Sequence, residues 1–166
     1  MHQEILFPRE KAALYPLLAQ QIAALAEDSQ PLSTLANASA LLYEALPDIN
    51  WAGFYLASGD MLHLGPFQGR TACMQIPFGR GVCGTAAATR QVQVVQDVQR
   101  FPGHIACDSA SRSEIVLPIW VDGRLFGVLD IDSPSLNRFT EGDADGLTAF
   151  VAALTRSVDF AHGWLK

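Results

Sequence analysis

Ile115-Val-Leu-Pro-Ile-Trp-Val, then Asp122-Gly123, then Leu125-Phe-Gly-Val-Leu-Asp-Ile is the stretch that decides the fold of this chain. Two apolar, β-branched runs flank a dipeptide that tolerates positive φ at both central positions, so the spacing predicts a β-hairpin with a type I′ turn. Upstream, Trp51-Ala-Gly-Phe-Tyr-Leu and Met61-Leu-His-Leu-Gly-Pro-Phe predict two more strands joined at Ser58-Gly59-Asp60, and Val92 to Val95 a short one. Helical spacing of Leu14, Leu17, Leu18, Ile22 and Leu25 predicts a helix over Ala12 to Ala26, with Pro16 clouding its first turn. A second helix starts at Pro31 and is closed by Pro47. A short glycine-led helix starts at Gly81. Thr140 caps a last amphipathic helix through Leu147, Phe150, Val151, Leu154 and Val158. This order predicts an α+β fold in one domain, residues 1–166, with a central, mainly antiparallel sheet and helices packed on one face.

Composition narrows the function classes. The 166 residues are 49% hydrophobic and 17% charged, which suits a packed core and excludes a disordered or fibrous chain. A net charge of −6 argues against nucleic acid or an anionic membrane as partner. No apolar run reaches the roughly 18 residues of a membrane span, and Met1 to Glu10 lacks the pattern of a signal peptide, so the cytoplasm is the expected location. Three cysteines without a CxxC pair fit neither a disulfide scaffold nor a zinc site, and no metal or cofactor is expected.

The chemistry concentrates after residue 70. Cys73, Cys83 and Cys107 fall within 35 residues, followed by Glu114 and by Asp130 and Asp132 on alternate positions. Cys107 lies in a long stretch without a clear period, Asp97 to Ser113, beside Asp108 and three residues after His104. An accessible loop thiol near an imidazole is a candidate nucleophile; the competing reading is an incidental buried cysteine. Cys83 sits in the first turn of the short helix, where the dipole lowers a thiol pKa, so it rivals Cys107. Cys73, in a glycine-rich loop, can reach a second thiol, and no physical rule orders the three.

Asp130 and Asp132 share one strand face among apolar neighbours, where crowded carboxyls cannot all ionise and one stays protonated. Asp132 could instead cap the following turn, and Glu114 could be a solvated strand end. Trp51 and Tyr55 share strand parity and form either an aromatic pocket wall or ordinary core. His63 reads as structural, and Gly79-Arg80-Gly81 lacks a full phosphate-loop pattern.

Taken in order, Asn50-Trp-Ala-Gly-Phe-Tyr-Leu, Leu64-Gly-Pro-Phe-Gln-Gly, Cys73-Met-Gln-Ile, Gly79-Arg-Gly-Val-Cys-Gly, the Asp97 to Cys107 segment, Ser113-Glu-Ile-Val-Leu-Pro and Gly127-Val-Leu-Asp-Ile-Asp-Ser resemble the free methionine-(R)-sulfoxide reductases, which are stand-alone GAF-domain enzymes. The resemblance spans nearly the whole chain and shows no departure at these positions. It implies a GAF-like fold and Cys107 as nucleophile, with Cys73 resolving it and Cys83 auxiliary. It also implies that Glu114, Asp130 and Asp132 surround the sulfoxide and the substrate ammonium, with Trp51 and Tyr55 at the methyl-sulfoxide end. The implied reaction passes through a sulfenic acid and an intramolecular disulfide that thioredoxin recycles, and a homodimer is the implied assembly. The rival is a GAF-type sensor of a small ligand or of redox state, because one fold serves many functions.

Overall fold

The computed structural model describes residues 6–27 and 29–160. Helices α1 (Lys11–Ala26) and α2 (Pro31–Ala45) lead into strands β1 (Trp51–Ser58), β2 (Met61–Gly69) and β3 (Gln75–Pro77). Helix α3 (Gly81–Thr89), β4 (Gln93–Val95), a single 3₁₀ turn (Val98–Arg100), β5 (Ser113–Val121), β6 (Arg124–Ser133) and α4 (Glu141–Ser157) follow. The strands form one six-stranded sheet in the order β3-β2-β1-β6-β5-β4, with every neighbouring pair antiparallel.

The deciding hairpin forms as its sequence predicts. Asp122 and Gly123 have φ of 50° and 76°, both in the left-handed region that a type I′ turn requires. Pro118 is tolerated within β5 because β4 pairs only with residues 114–116, leaving β5 without a β4 partner at Pro118. Pro16 lies inside α1 without ending it. The strand β3 has no signature of its own: three residues, Gln-Ile-Pro, are too few to show alternation, and β2 recruits them by pairing.

Strand parity divides the molecule into two packed layers. Ala52, Phe54 and Leu56 of β1, Ile115, Leu117 and Ile119 of β5, and Leu129 and Ile131 of β6 point to α1, α2 and α4 and form the larger core. The opposite face carries Trp51, Tyr55, Val116 and Val128, and here the short α3 covers the sheet through Val82, Cys83, Ala86 and Ala87. The three long helices thus share one face as expected, whereas α3 lies across the sheet from them. Its all-round small residues, Gly-Val-Cys-Gly-Thr-Ala-Ala-Ala, let it approach the strands closely and gave no directional signal in the sequence.

The α1–α4 contact is locked by a buried carboxylate. Asp143 accepts from Lys11 Nζ at 2.7 Å, Tyr15 Oη at 2.7 Å and the Thr140 backbone N–H at 2.8 Å, and Arg138 Nη1 lies 3.4 Å away. The Thr140 and Asp143 side chains complete a reciprocal capping box at the start of α4. Burial alone raises the Asp143 carboxyl, but its hydrogen bonds from Lys11, Tyr15 and Thr140, with the charge of Arg138, outweigh this and hold it below the usual range. A depressed carboxyl contributes stability above its unfolded pKa of about 3.9 and loses it as pH falls through the lower folded value. Asp143→Asn is therefore expected to cost roughly 2–4 kcal/mol at pH 7, read as a lower Tm. The deficit shrinks once the wild type is itself acidified below about pH 4. An equal deficit at pH 7 and pH 2.5 would contradict this account.

Candidate active site

On the α3 side of the sheet, register and parity bring three of the expected residues into one row. Trp51 pairs with Asp132 across β1 and β6, and Asp132 pairs with Glu114 across β6 and β5. Asp130, two residues away on the same face, pairs with Gly53 and Val116. Gly53 has no side chain because the Trp51 ring and the Phe67 backbone occupy that volume. Trp51 consequently lies flat between Phe67 (ring centroids 5.2 Å apart) and Tyr55 (5.9 Å) as an aromatic wall.

Trp51 Nε1 donates to the Arg70 carbonyl at 3.1 Å, and Tyr55 Oη to the Cys73 carbonyl at 2.9 Å. The two aromatics therefore also hold the segment that carries Cys73 against the sheet. Cys73 forms a disulfide with Cys107, with Cα atoms 5.4 Å apart. Cys107 lines the same pocket as Trp51, Tyr55, Glu114, Asp130 and Asp132, and Cys83 enters it from the first turn of α3. Every site residue expected from the sequence is thus at or beside one cavity. His63 instead lies on β2 next to Gln75, outside the pocket lining.

Burial sets the electrostatics. Glu114 is only 6% exposed, and desolvation together with the charges of Asp130 and Asp132 raises its carboxyl well above the ordinary range. Burial also raises Asp130, to about 6, while hydrogen bonding with Glu114 and Cys83 acts to lower it. Asp132 is pushed well up by burial and by the charges of Asp130 and Asp108, against a hydrogen bond from Ser111. The cluster therefore holds protons near neutral pH. Asp130 Oδ1 is buried without a hydrogen-bond partner.

The Cys83 thiol donates to Glu114 Oε1 at 3.8 Å. The helix start was expected to lower its pKa; burial and the surrounding carboxylates push it well up instead. The fold also fixes the partners of residues in and beside the Cys107 loop. Asn50, just before β1, donates to Asp108 Oδ2 at 3.2 Å and Ser111 Oγ at 3.1 Å, fastening the Cys107 loop to the sheet. His104 from that loop places Nε2 4.0 Å from Glu114 Oε2, and burial lowers its pKa. Among the described residues, no helix is long and apolar enough to cross a membrane.

Comparison with known proteins identifies the family. The GAF domain family model matches residues 30–158. The chain is 60% identical over 134 residues to the free methionine-R-sulfoxide reductase of Escherichia coli (strain K12), covering 81% of each chain. It is 47% identical over 134 residues to the Saccharomyces cerevisiae enzyme of the same name, covering 76% of this chain and 74% of that one. The structure of the free methionine-R-sulfoxide reductase from Neisseria meningitidis in complex with its substrate superposes with a TM-score of 0.89 at 47% identity, covering 95% of each chain. By sequence and by fold, the chain belongs to the free methionine-(R)-sulfoxide reductase family, oxidoreductases built on a GAF domain.

Proposed function

We propose that the chain, as a single GAF-like domain, reduces free L-methionine-(R)-sulfoxide to L-methionine, with Cys107 as nucleophile and Cys73 as resolving thiol. The observation that carries this reading is the Cys73–Cys107 disulfide at a pocket whose floor is a cluster of buried, proton-holding carboxyls. The Cys107 sulfur attacks the sulfoxide sulfur while Glu114 supplies a proton to the oxygen. Oxygen passes to Cys107, leaving a sulfenic acid and methionine, so the substrate sulfur gains two electrons and the cysteine sulfur loses them. The Cys73 thiol then displaces that oxygen as water and forms the disulfide. A thioredoxin-type dithiol returns the pair to thiols, taking up the oxidation as its own disulfide, a step suited to the cytoplasm.

The same geometry accounts for a preference for the free amino acid. Asp130 Oδ1 is an acceptor without a donor, and Asp132 lies two residues along on the same strand face, so an ammonium group satisfies both. A peptide bond would remove that positive charge and leave the acceptor buried and unpaired, which binding would then have to overcome. Trp51 and Tyr55 enclose the thioether end.

The test is methionine release by the reduced protein from each epimer, with thioredoxin and its reductase as donor. Turnover of the (R) epimer alone is expected, together with rejection of an N-acetylated sulfoxide. No methionine from either epimer, with all three thiols confirmed reduced, would refute the catalytic reading in favour of a sensor.

A further inference from the structure

We propose that Cys83, Glu114 and Asp130 form a binding site for a zinc-like divalent cation in the reductase pocket, so that zinc is a reversible inhibitor. The donor atoms of Cys83, Glu114 and Asp130 all lie within 4.8 Å of one another. A tetrahedral zinc centre, with metal–sulfur near 2.3 Å and metal–oxygen near 2.0–2.2 Å, separates its sulfur and oxygen ligands by roughly 3.5 Å. Cys83 Sγ and Glu114 Oε1 stand 3.8 Å apart, so this edge of the shell needs only a few tenths of an ångström of adjustment.

Two further observations point to a ligand. Asp130 is 94% buried, and its Oδ1 has no hydrogen-bond partner. His104 brings an imidazole nitrogen to 4.0 Å from the second oxygen of Glu114, beside the group of three but outside it. One sulfur with carboxylate oxygens, and an imidazole close by, suits zinc and its neighbours; magnesium and calcium prefer all-oxygen shells. The three ligands come from α3, β5 and β6, which is why the cysteine spacing carried no zinc pattern. Neither disulfide cysteine is required, so the oxidised protein keeps the whole site.

That the cation excludes substrate rests on the proposed function, because the ammonium was assigned to the same Asp130 oxygen. Binding itself does not rest on it, and the experiment separates the two. In the oxidised protein Cys83 is the one free thiol of the three cysteines. Titration with cobalt(II) as the probe is expected to produce, at one equivalent, a near-ultraviolet thiolate-to-cobalt charge-transfer band with the visible bands of a tetrahedral ion, both removed by zinc. The charge-transfer band is lost in Cys83→Ser, and the titration midpoint rises in Glu114→Gln, with both variants first shown to be folded by their thermal melts. No band in the folded wild type, or a band that survives Cys83→Ser, overturns the site. Overlap with substrate is read by adding each sulfoxide epimer. Both sequester free cobalt alike, so a larger midpoint shift with the (R) epimer supports exclusion, and equal shifts overturn it while leaving the metal site standing.

Discussion

Cys107→Ser is expected to remove steady-state turnover, by a factor on the order of 10³ or more, because serine cannot accept the sulfoxide oxygen as a sulfenic acid. Cys73→Ser is expected to behave differently. Its first turnover proceeds, releasing about one equivalent of methionine, and the protein then stalls with Cys107 oxidised until a small thiol is added. Rapid-quench measurement of methionine, with dimedone trapping of the sulfenic acid, distinguishes the two variants. Undiminished turnover in Cys107→Ser would overturn the nucleophile assignment. Full thioredoxin-supported turnover in Cys73→Ser would transfer the resolving role to Cys83, despite the disulfide that joins Cys73 to Cys107.

The second large effect belongs to the carboxyl cluster. Glu114→Gln keeps the shape of the side chain and its neighbours but removes the transferable proton, and kcat is expected to fall by about 10²–10⁴. Asp130→Asn removes the charge that faces the substrate ammonium. The loss of a charge-assisted hydrogen bond, about 1.5–3 kcal/mol, corresponds to a rise in KM of roughly 10- to 100-fold. Steady-state kinetics on the two variants therefore separate proton donation from binding. A Glu114→Gln enzyme with unchanged kcat would remove Glu114 from the chemistry, and unchanged KM in Asp130→Asn would move the ammonium elsewhere.

Much of this site was legible before any coordinates, and the reason is strand parity. Trp51, Tyr55, Glu114, Asp130 and Asp132 lie on strands whose limits show in alternation and turn residues, so their common face follows once the strands pair as they do. The partners of Asn50, His104 and Ser111 were not legible, because these residues sit in or beside a loop whose path is set by contacts with the sheet; chain proximity linked His104 to Cys107, and the loop's path brings it to Glu114. The acidity of Cys83 was misjudged for a related reason. The helix start is a local feature that sequence shows, whereas the burial and carboxylates that oppose it arrive from β5 and β6.

The amino-acid sequence by itself determined the hairpins, the helices and the parity that puts acids and aromatics on one side of the sheet, because these depend on neighbours a few residues apart. Only the tertiary structure decided that Cys73 pairs with Cys107, that α3 crosses to the face opposite the long helices, and that Cys83, Glu114 and Asp130 meet within one donor shell. Those outcomes require segments distant in the chain to pack together, and the proton affinities of the buried groups follow from that packing through loss of water and proximity of charge.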